Sequence, residues 1–203
     1  MRFSLGFILF LSMAGPAFAG GPYVAVGGEV GNRETQNPTG SFTATALNGR
    51  LGYDFGKYFG VEAEGALNLS GSASFEDQSE QSTRQFNEDV KSHYGLFLRG
   101  RAPVSERISL FGRAGIGRRY GTYSFRSFGI YQFDGSPYDQ TSIRDEGYFY
   151  GALGVGAEFQ ISKDERNAIR ADFTRYSVYI GGEDQDLDYA RDSIFSLAYV
   201  RRF

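Results

Sequence analysis

The chain has 203 residues, of which 41% are hydrophobic, 16% aromatic and 22% charged, with a formal net charge of -3, 28 glycines and no cysteine. Its aromatic density is too high for a disordered chain, and a mean hydropathy of -0.35 leaves no room for several membrane-spanning helices. Without cysteine, disulfide scaffolds, thiolate metal sites, iron–sulfur ligation and cysteine nucleophiles are excluded, so a stable fold must come from packing and backbone pairing alone.

Residues 1–19 read as a secretory signal peptide. Arg2 supplies a positive end, Phe3 to Ala14 form an apolar run shorter than the ~20 residues of a spanning helix, and Ala17-Phe18-Ala19 gives the small-x-small pattern before Gly20. One domain is expected over 20–203. Removing the leader takes both methionines and Arg2, leaving 20 basic against 24 acidic side chains, a net of -4 that speaks against a nucleic-acid surface.

The rest alternates with period two, the signature of strands. Val24, Val26 and Val30 share one face of the first run, with Ala25, Gly27 and Glu29 on the other. In the second, Leu47, Leu51, Tyr53 and Phe55 oppose Asn48, Arg50, Gly52 and Asp54, and Gly56-Lys57 makes a tight turn. The third sets Phe59, Val61, Ala63, Leu67 and Leu69 against Gly60, Glu62, Glu64, Ala66 and Asn68, and a long polar stretch follows from Ser70 to about Ser92. The fourth has Tyr94, Leu96, Leu98 and Ala102 against His93, Gly95, Phe97, Arg99 and Arg101; after a turn at Pro103 to Glu106, the fifth has Ile108, Leu110, Ala114 and Ile116 against Ser109, Phe111, Arg113 and Gly115.

A second long stretch runs from about Arg118 to Glu146, and its aromatic, partly alternating portion Tyr120 to Phe133 extends the flanking strands outward. The sixth run sets Phe149, Leu153, Val155, Ala157 and Phe159 against Tyr148, Tyr150, Ala152, Gly154, Gly156 and Glu158. The seventh sets Ile169, Ala171 and Phe173 against Arg170, Asp172 and Thr174, before an acidic loop near Gly181 to Arg191. The eighth sets Phe195, Leu197, Tyr199 and Phe203 against Ser196, Ala198, Val200 and Arg202. Eight strands of roughly ten residues, with connections alternating short and long, describe an all-β, antiparallel up-and-down meander.

Which face meets water follows from volume and charge. An eight-stranded barrel has a narrow interior that side chains must fill, and one face here mixes Gly and Ala with six carboxylates (Glu29, Asp54, Glu62, Glu64, Glu158, Asp172) and six arginines (Arg50, Arg99, Arg101, Arg113, Arg170, Arg202). Equal numbers suit a closed interior, because an unpaired ion away from water costs several kcal/mol. Glu62 and Glu64 are expected to face Arg99 and Arg101 of the next strand. The other face is nearly free of charge, Arg201 excepted, and its aromatics fall largely near strand ends, as in a membrane-interface girdle. A closed barrel satisfies strand backbones in lipid, so the expectation is a transmembrane β-barrel. A secreted barrel of lipocalin type accounts for the strands but not for the terminal phenylalanine.

These features resemble the OmpA-like and opacity-type eight-stranded outer-membrane proteins. The carriers are the leader, Tyr23 to Gly27, Gly49-Arg50-Leu51-Gly52-Tyr53-Asp54-Phe55, Leu110 to Gly117, Gly151 to Phe159, and a C-terminal stretch in which Phe195, Leu197, Tyr199 and Phe203 resemble the signal read by barrel-assembly machinery. The resemblance implies the Gram-negative outer membrane, periplasmic turns, long external loops, and contact with outer-membrane lipid and lipopolysaccharide; no peptidoglycan-binding domain is expected, since the sequence stops at the eighth strand. It supports a monomeric envelope-structural or adhesin-like surface protein, its loops meeting a host or envelope protein. The alternatives are a small-solute pore and a lipid-A-active enzyme.

No catalytic, cofactor or metal residue stands out. His93 is the sole histidine, and Ser92 points to the opposite face, so the two cannot form a nucleophile–base pair. Glu183 to Asp188 could offer oxygens to Ca²⁺ or Mg²⁺ but lacks the spacing of a calcium loop. Arg118, Arg119, Arg126 and Arg144 are candidates for lipopolysaccharide phosphates, and Tyr120 to Tyr138 offers either a protein-binding surface or a hairpin packing its own aromatics.

Overall fold

The structure is a computed structural model describing residues 20–34, 41–78, 82–130, 136–162, 166–180 and 188–203. All regular elements among them are strands: β1 (Pro22–Glu34), β2 (Ser41–Phe55), β3 (Phe59–Ser70), β4 (Ser72–Gln78), β5 (Ser82–Pro103), β6 (Ile108–Ile130), β7 (Pro137–Gln160), β8 (Asn167–Ile180) and β9 (Asp188–Arg202). β3 and β4 form one stave, since both pair with β5 and are separated only by Gly71 at φ +115°, a left-handed kink that glycine takes without strain. Eight antiparallel staves therefore close into a ring, sealed by β1–β9 and β3–β5 pairing.

The register fixes the tilt. Following cross-strand partners from Ala25 through Arg50, Glu64, Gly95, Gly117, Tyr150 and Val178 leads to Ala190, whereas Ala25 itself pairs with Val200, ten residues further along β9. A stagger of this size on eight strands goes with a tilt of about 40° and a lumen that side chains fill. Each step to the next strand thus climbs toward the loop end by a little over one residue.

Alternation delivers the two faces. Leu98 and Leu153 are 69% and 70% exposed on the outside, whereas Arg99 and Arg113 on the inside are 2% and 3% exposed. The outward residues from Phe59 to Leu69 span about 25 Å of height at this tilt, the thickness of an outer-membrane apolar band. Tight connections at residues 56–58 and 104–107 share one end with both termini of the barrel, as do the paired ends of β7 and β8 at Gln160 and Ala168.

At the other end the strands are longer than expected from ten-residue runs. The stretch 70–92, read as a polar connection, instead continues as paired strand, β4 with β5 down to Gln78–Thr83, while 118–146 continues the flanking strands outward as its alternation indicates, β6 with β7 up to Ile130–Pro137. β7 pairs with β8 only as far as Tyr150–Val178, so a four-stranded sheet of β4, β5, β6 and β7 projects beyond the ring. The signal-peptide assignment over 1–19, and most of the acidic segment 183–188, lie outside the described residues.

Candidate functional site

The lumen is filled by three tiers of ions. At the turn end, Arg99 bonds Asp54, Arg202 bonds Glu158, and Arg170 donates from Nη2 to Glu158 Oε2 at 3.0 Å. Arg101 approaches Asp54 and Glu158 at 3.9 and 4.0 Å. Arg170 stacks between the rings of Tyr23 and Phe111, at 5.1 and 5.2 Å from their centroids.

In the middle tier Arg50 donates to Glu64 at 2.7 Å and to Asp172 at 2.6 Å, while Arg113 donates to Glu62 at 3.0 Å and Glu64 at 2.6 Å. Thr174, Tyr176 and Ser196 complete the bonding: Tyr176 donates to Glu64 at 2.8 Å and Ser196 to Asp172 at 2.8 Å, while Arg113 donates to Thr174 Oγ1 at 3.1 Å. Tyr23 ties this tier to the one below, its hydroxyl donating to Glu62 at 2.7 Å.

Nearest the loops, Asn48 donates to Glu29 at 3.4 Å, and His93 Nε2 stands 3.6 Å from Glu64 and 3.8 Å from Glu29. Above them Arg119 bridges Asp192 at 2.8 Å and Glu88 at 3.0 Å, and Arg33 donates to Asn68 at 3.0 Å.

Interior glycines make room for large rings. A Cβ on Gly52 would overlap the Tyr23 ring, on Gly115 the Phe97 ring, on Gly156 the Phe111 ring, and on Gly95 or Gly117 the Tyr150 hydroxyl. Arg113 in turn lies 4.1 Å from the centroid of Phe97.

Two features differ from the sequence reading. Glu62 and Glu64 do not pair with Arg99 and Arg101; in register they oppose Phe97 and Gly95, and their partners Arg50, Arg113 and Arg170 reach them from β2, β6 and β8. The stagger is the cause, because it brings ions of similar height together across the lumen rather than along one strand pair. Arg33, Glu88, Arg119 and Asp192 also line the lumen, giving eight arginines and eight carboxylates there among the described residues. Arg33, Arg119 and Asp192 share parity with Glu29, Arg113 and Ser196, so extending the alternation would have found them. Glu88 was hidden by a bulge at Lys91, between Val90 and Ser92, which reverses the parity of β5 above it.

The outer rim sorts the remaining candidates. Arg119 is sealed inside, Arg126 is clasped by Asp139 at 2.6 Å, and Arg118 lies 5.1 and 5.2 Å from the ring centroids of Tyr120 and Phe149. Arg144 is exposed on the projecting sheet. The aromatics of that sheet pair among themselves: Phe86 with Phe125 at 5.4 Å, Tyr123 with Tyr148 at 5.5 Å, and Tyr94 with Tyr120 at 5.7 Å. At the C-terminus Phe195, Leu197, Tyr199 and Phe203 are all exposed on the lipid side, and Arg201 donates to Asn167 at 2.7 Å.

The closed ring is apolar outside and ionic inside, and the family model for the outer membrane protein beta-barrel domain matches residues 4–203. The chain belongs to that family. Among solved structures it is similar to Ail, the attachment invasion locus protein of Yersinia pestis, with 18% identity over 92% of this chain and 99% of that one, at a TM-score of 0.52. Neisserial surface protein A matches at 15% identity over 90% and 97% of the two chains, with a TM-score of 0.47. OprG from Pseudomonas aeruginosa matches at 12% over 92% and 96%, with a TM-score of 0.43. At these identities the likeness is one of fold. No curated protein matches in sequence. The protein is an integral β-barrel of the Gram-negative outer membrane, which places the tight turns toward the periplasm and the projecting sheet outside the cell.

Proposed function

We propose that this protein is a non-catalytic surface-interaction protein: an ion-filled barrel anchors the four-stranded sheet of β4 to β7, which recognises a host or envelope protein. The observation that carries this reading is the projecting sheet. From Tyr120 to Ile130, β6 extends about 30 Å along its own direction beyond the apolar band. Its lumen-side face carries Phe86, Tyr123, Phe125 and Tyr148, while among the described residues β1, β8 and β9 stop well below. Aromatic side chains on a rigid scaffold are the usual anchors of protein interfaces.

The filled lumen supports this reading over a solute pore. Arg50, Glu62, Glu64 and Arg113 occupy the cross-section at mid-height, each at most 4% exposed. His93 faces Glu29, Glu64 and the rings of Tyr150 and Tyr176, within the barrel rather than on a lipid-accessible rim.

The test is removal of residues 122–145 with a short Gly-Ser replacement. The shortened protein is expected to keep heat-modifiable gel migration and to lose adhesion of expressing cells to host surfaces and envelope components. Retained adhesion would sink the proposal, and a steady large conductance in planar bilayers would defeat the filled-lumen part of it.

A further inference from the structure

The outward cations at the loop end are unequally provided for. Lys91 lies 3.3 Å from Asp145, Arg126 is held by Asp139, and Arg118 lies over two aromatic rings. Arg175 and Arg191 remain, exposed on the outer faces of β8 and β9 with no carboxylate partner for either guanidinium among the described residues. They are adjacent: Arg175 pairs in register with Ser193, and Arg191 with Ser177. The stagger sets Arg175 level with Tyr94 and Val30, below the level of Leu69 at the top of the apolar band, and Arg191 level with Leu69, both on the side of the projecting sheet. Two guanidiniums without a carboxylate partner among the described residues thus stand within reach of the outer-leaflet head groups, while Glu34 on the same outer face accepts from the Arg191 backbone N–H at 3.0 Å.

An apolar groove leads to them. Two rows of cross-strand partners climb the outside of the barrel, Leu96–Ile116–Gly151–Ser177–Arg191 and Leu98–Ala114–Leu153–Arg175–Ser193. Gly151 and Ala114 form a recess between Ile116 and Leu153, and the groove ends at Arg175 and Ser177. No Cβ added to Gly151 would meet anything within 4 Å, so the recess is open to lipid.

We propose that this groove binds a phosphorylated glycolipid of the outer leaflet, of the lipid A type. An acyl chain lies along the recess, and a phosphate is held by the planar forks of Arg175 and Arg191 with the hydroxyls of Ser177 and Ser193. Guanidinium forks match phosphate oxygens bidentately, and such charge-assisted bonds strengthen where water is excluded. The depth selects the ligand, because a soluble protein cannot reach the groove and an inner-leaflet lipid would place its head group at the turn end. The site is separate from the projecting sheet and stands or falls independently of it.

The experiment titrates refolded protein in neutral micelles with bis-phosphorylated lipid A, with enzymatically dephosphorylated lipid A and with phosphatidylglycerol. Binding is counted by native mass spectrometry and by the rise in the temperature of heat-modified gel migration. Lipid A is expected to bind and stabilise, and the double variant R175Q/R191Q to bind about tenfold more weakly. R126Q serves as the control and is expected to leave binding unchanged. Ala114→Phe, which keeps both arginines but fills the recess, is expected to weaken binding as well, and it tests the groove if the double variant refolds poorly. Equal binding by the wild type and both variants would overturn the proposal. So would dephosphorylated lipid A or phosphatidylglycerol binding as well as lipid A.

Discussion

Arg50 reaches across the lumen to Asp172, its Nη1 2.6 Å from the carboxylate, although 122 positions separate them in sequence. The bond is one strut of a network in which Arg50 also holds Glu64, and Glu64 is shared with Arg113 and Tyr176. Truncating one member strands several others.

Arg113→Met removes the cation that serves Glu62 and Glu64 in the middle tier. Leaving buried carboxylates short of a partner typically costs about 3–5 kcal/mol, so the urea midpoint of refolded R113M should fall sharply. Adding Glu64→Gln to R113M is expected to recover part of the loss. A wild-type midpoint for R113M would show that the lumen ions are individually dispensable.

Glycine position separates two classes of variant. Gly52→Ala drives a methyl group into the Tyr23 ring, whereas a methyl group on Gly65 meets nothing within 4 Å. Overpacking of this kind costs about 1–3 kcal/mol, so G52A should unfold at lower urea and G65A close to wild type. Side-by-side chemical denaturation checks the contrast, which also tests which face of each strand is inside.

The tip of the projecting sheet should respond to acid. Hydrogen bonding to Arg126 holds the Asp139 carboxyl below its ordinary range. A carboxyl depressed in the folded state stabilises above its unfolded value, about 3.9, and that contribution is lost as pH falls through the lowered folded value. Amide protection at residues 126–130 and 137–139 is therefore expected to be full at pH 6 and to fall below about pH 4, beyond the fall in the D139N variant. Identical pH profiles for the two would remove the clasp as the cause.

Lys91 is the extra residue of the β5 bulge. Deleting it leaves Val90 and Ser92 on their partners Gly121 and Tyr120, so Glu88 keeps its inward face and its 3.0 Å bond to Arg119. Strand content by circular dichroism and the urea midpoint are therefore expected to stay close to wild type. Glu88→Gln, which takes the anionic partner from Arg119, should cost about 1–3 kcal/mol with or without Lys91, and a double-mutant cycle measures that additivity.

Much of the fold was legible because period two is a local property. Val26 against Glu29, or Leu98 against Arg99, assigns a face from neighbours two residues away, and the outer-membrane reading follows from which face holds the charge. Ion partners are another matter. Glu62 meets Arg170 because of a ten-residue stagger accumulated over eight strand pairings, and no single strand records that sum. The projecting sheet was only partly visible, since polar residues such as those of Ser82 to Asp89 alternate weakly when both faces are wet. Arg175 drew no attention for a related reason: on its own strand it continues the outward row of Ile169, Ala171 and Phe173, and only the neighbouring strands reveal its depth.

The pairing of β1 with β9 carries a consequence for biogenesis. The first and last strands are each other's neighbours, so the ring has a seam that cannot form until the final residues have been synthesised. Struts that span distant strands, Arg50 to Asp172 and Arg170 to Glu62, are satisfied only when that seam meets. Contacts of such long sequence separation form slowly, and an open edge is not tolerated in the bilayer core. The charges that fill the finished lumen must therefore stay wetted, and the chain held by a chaperone or assembly machine, until closure and insertion occur together.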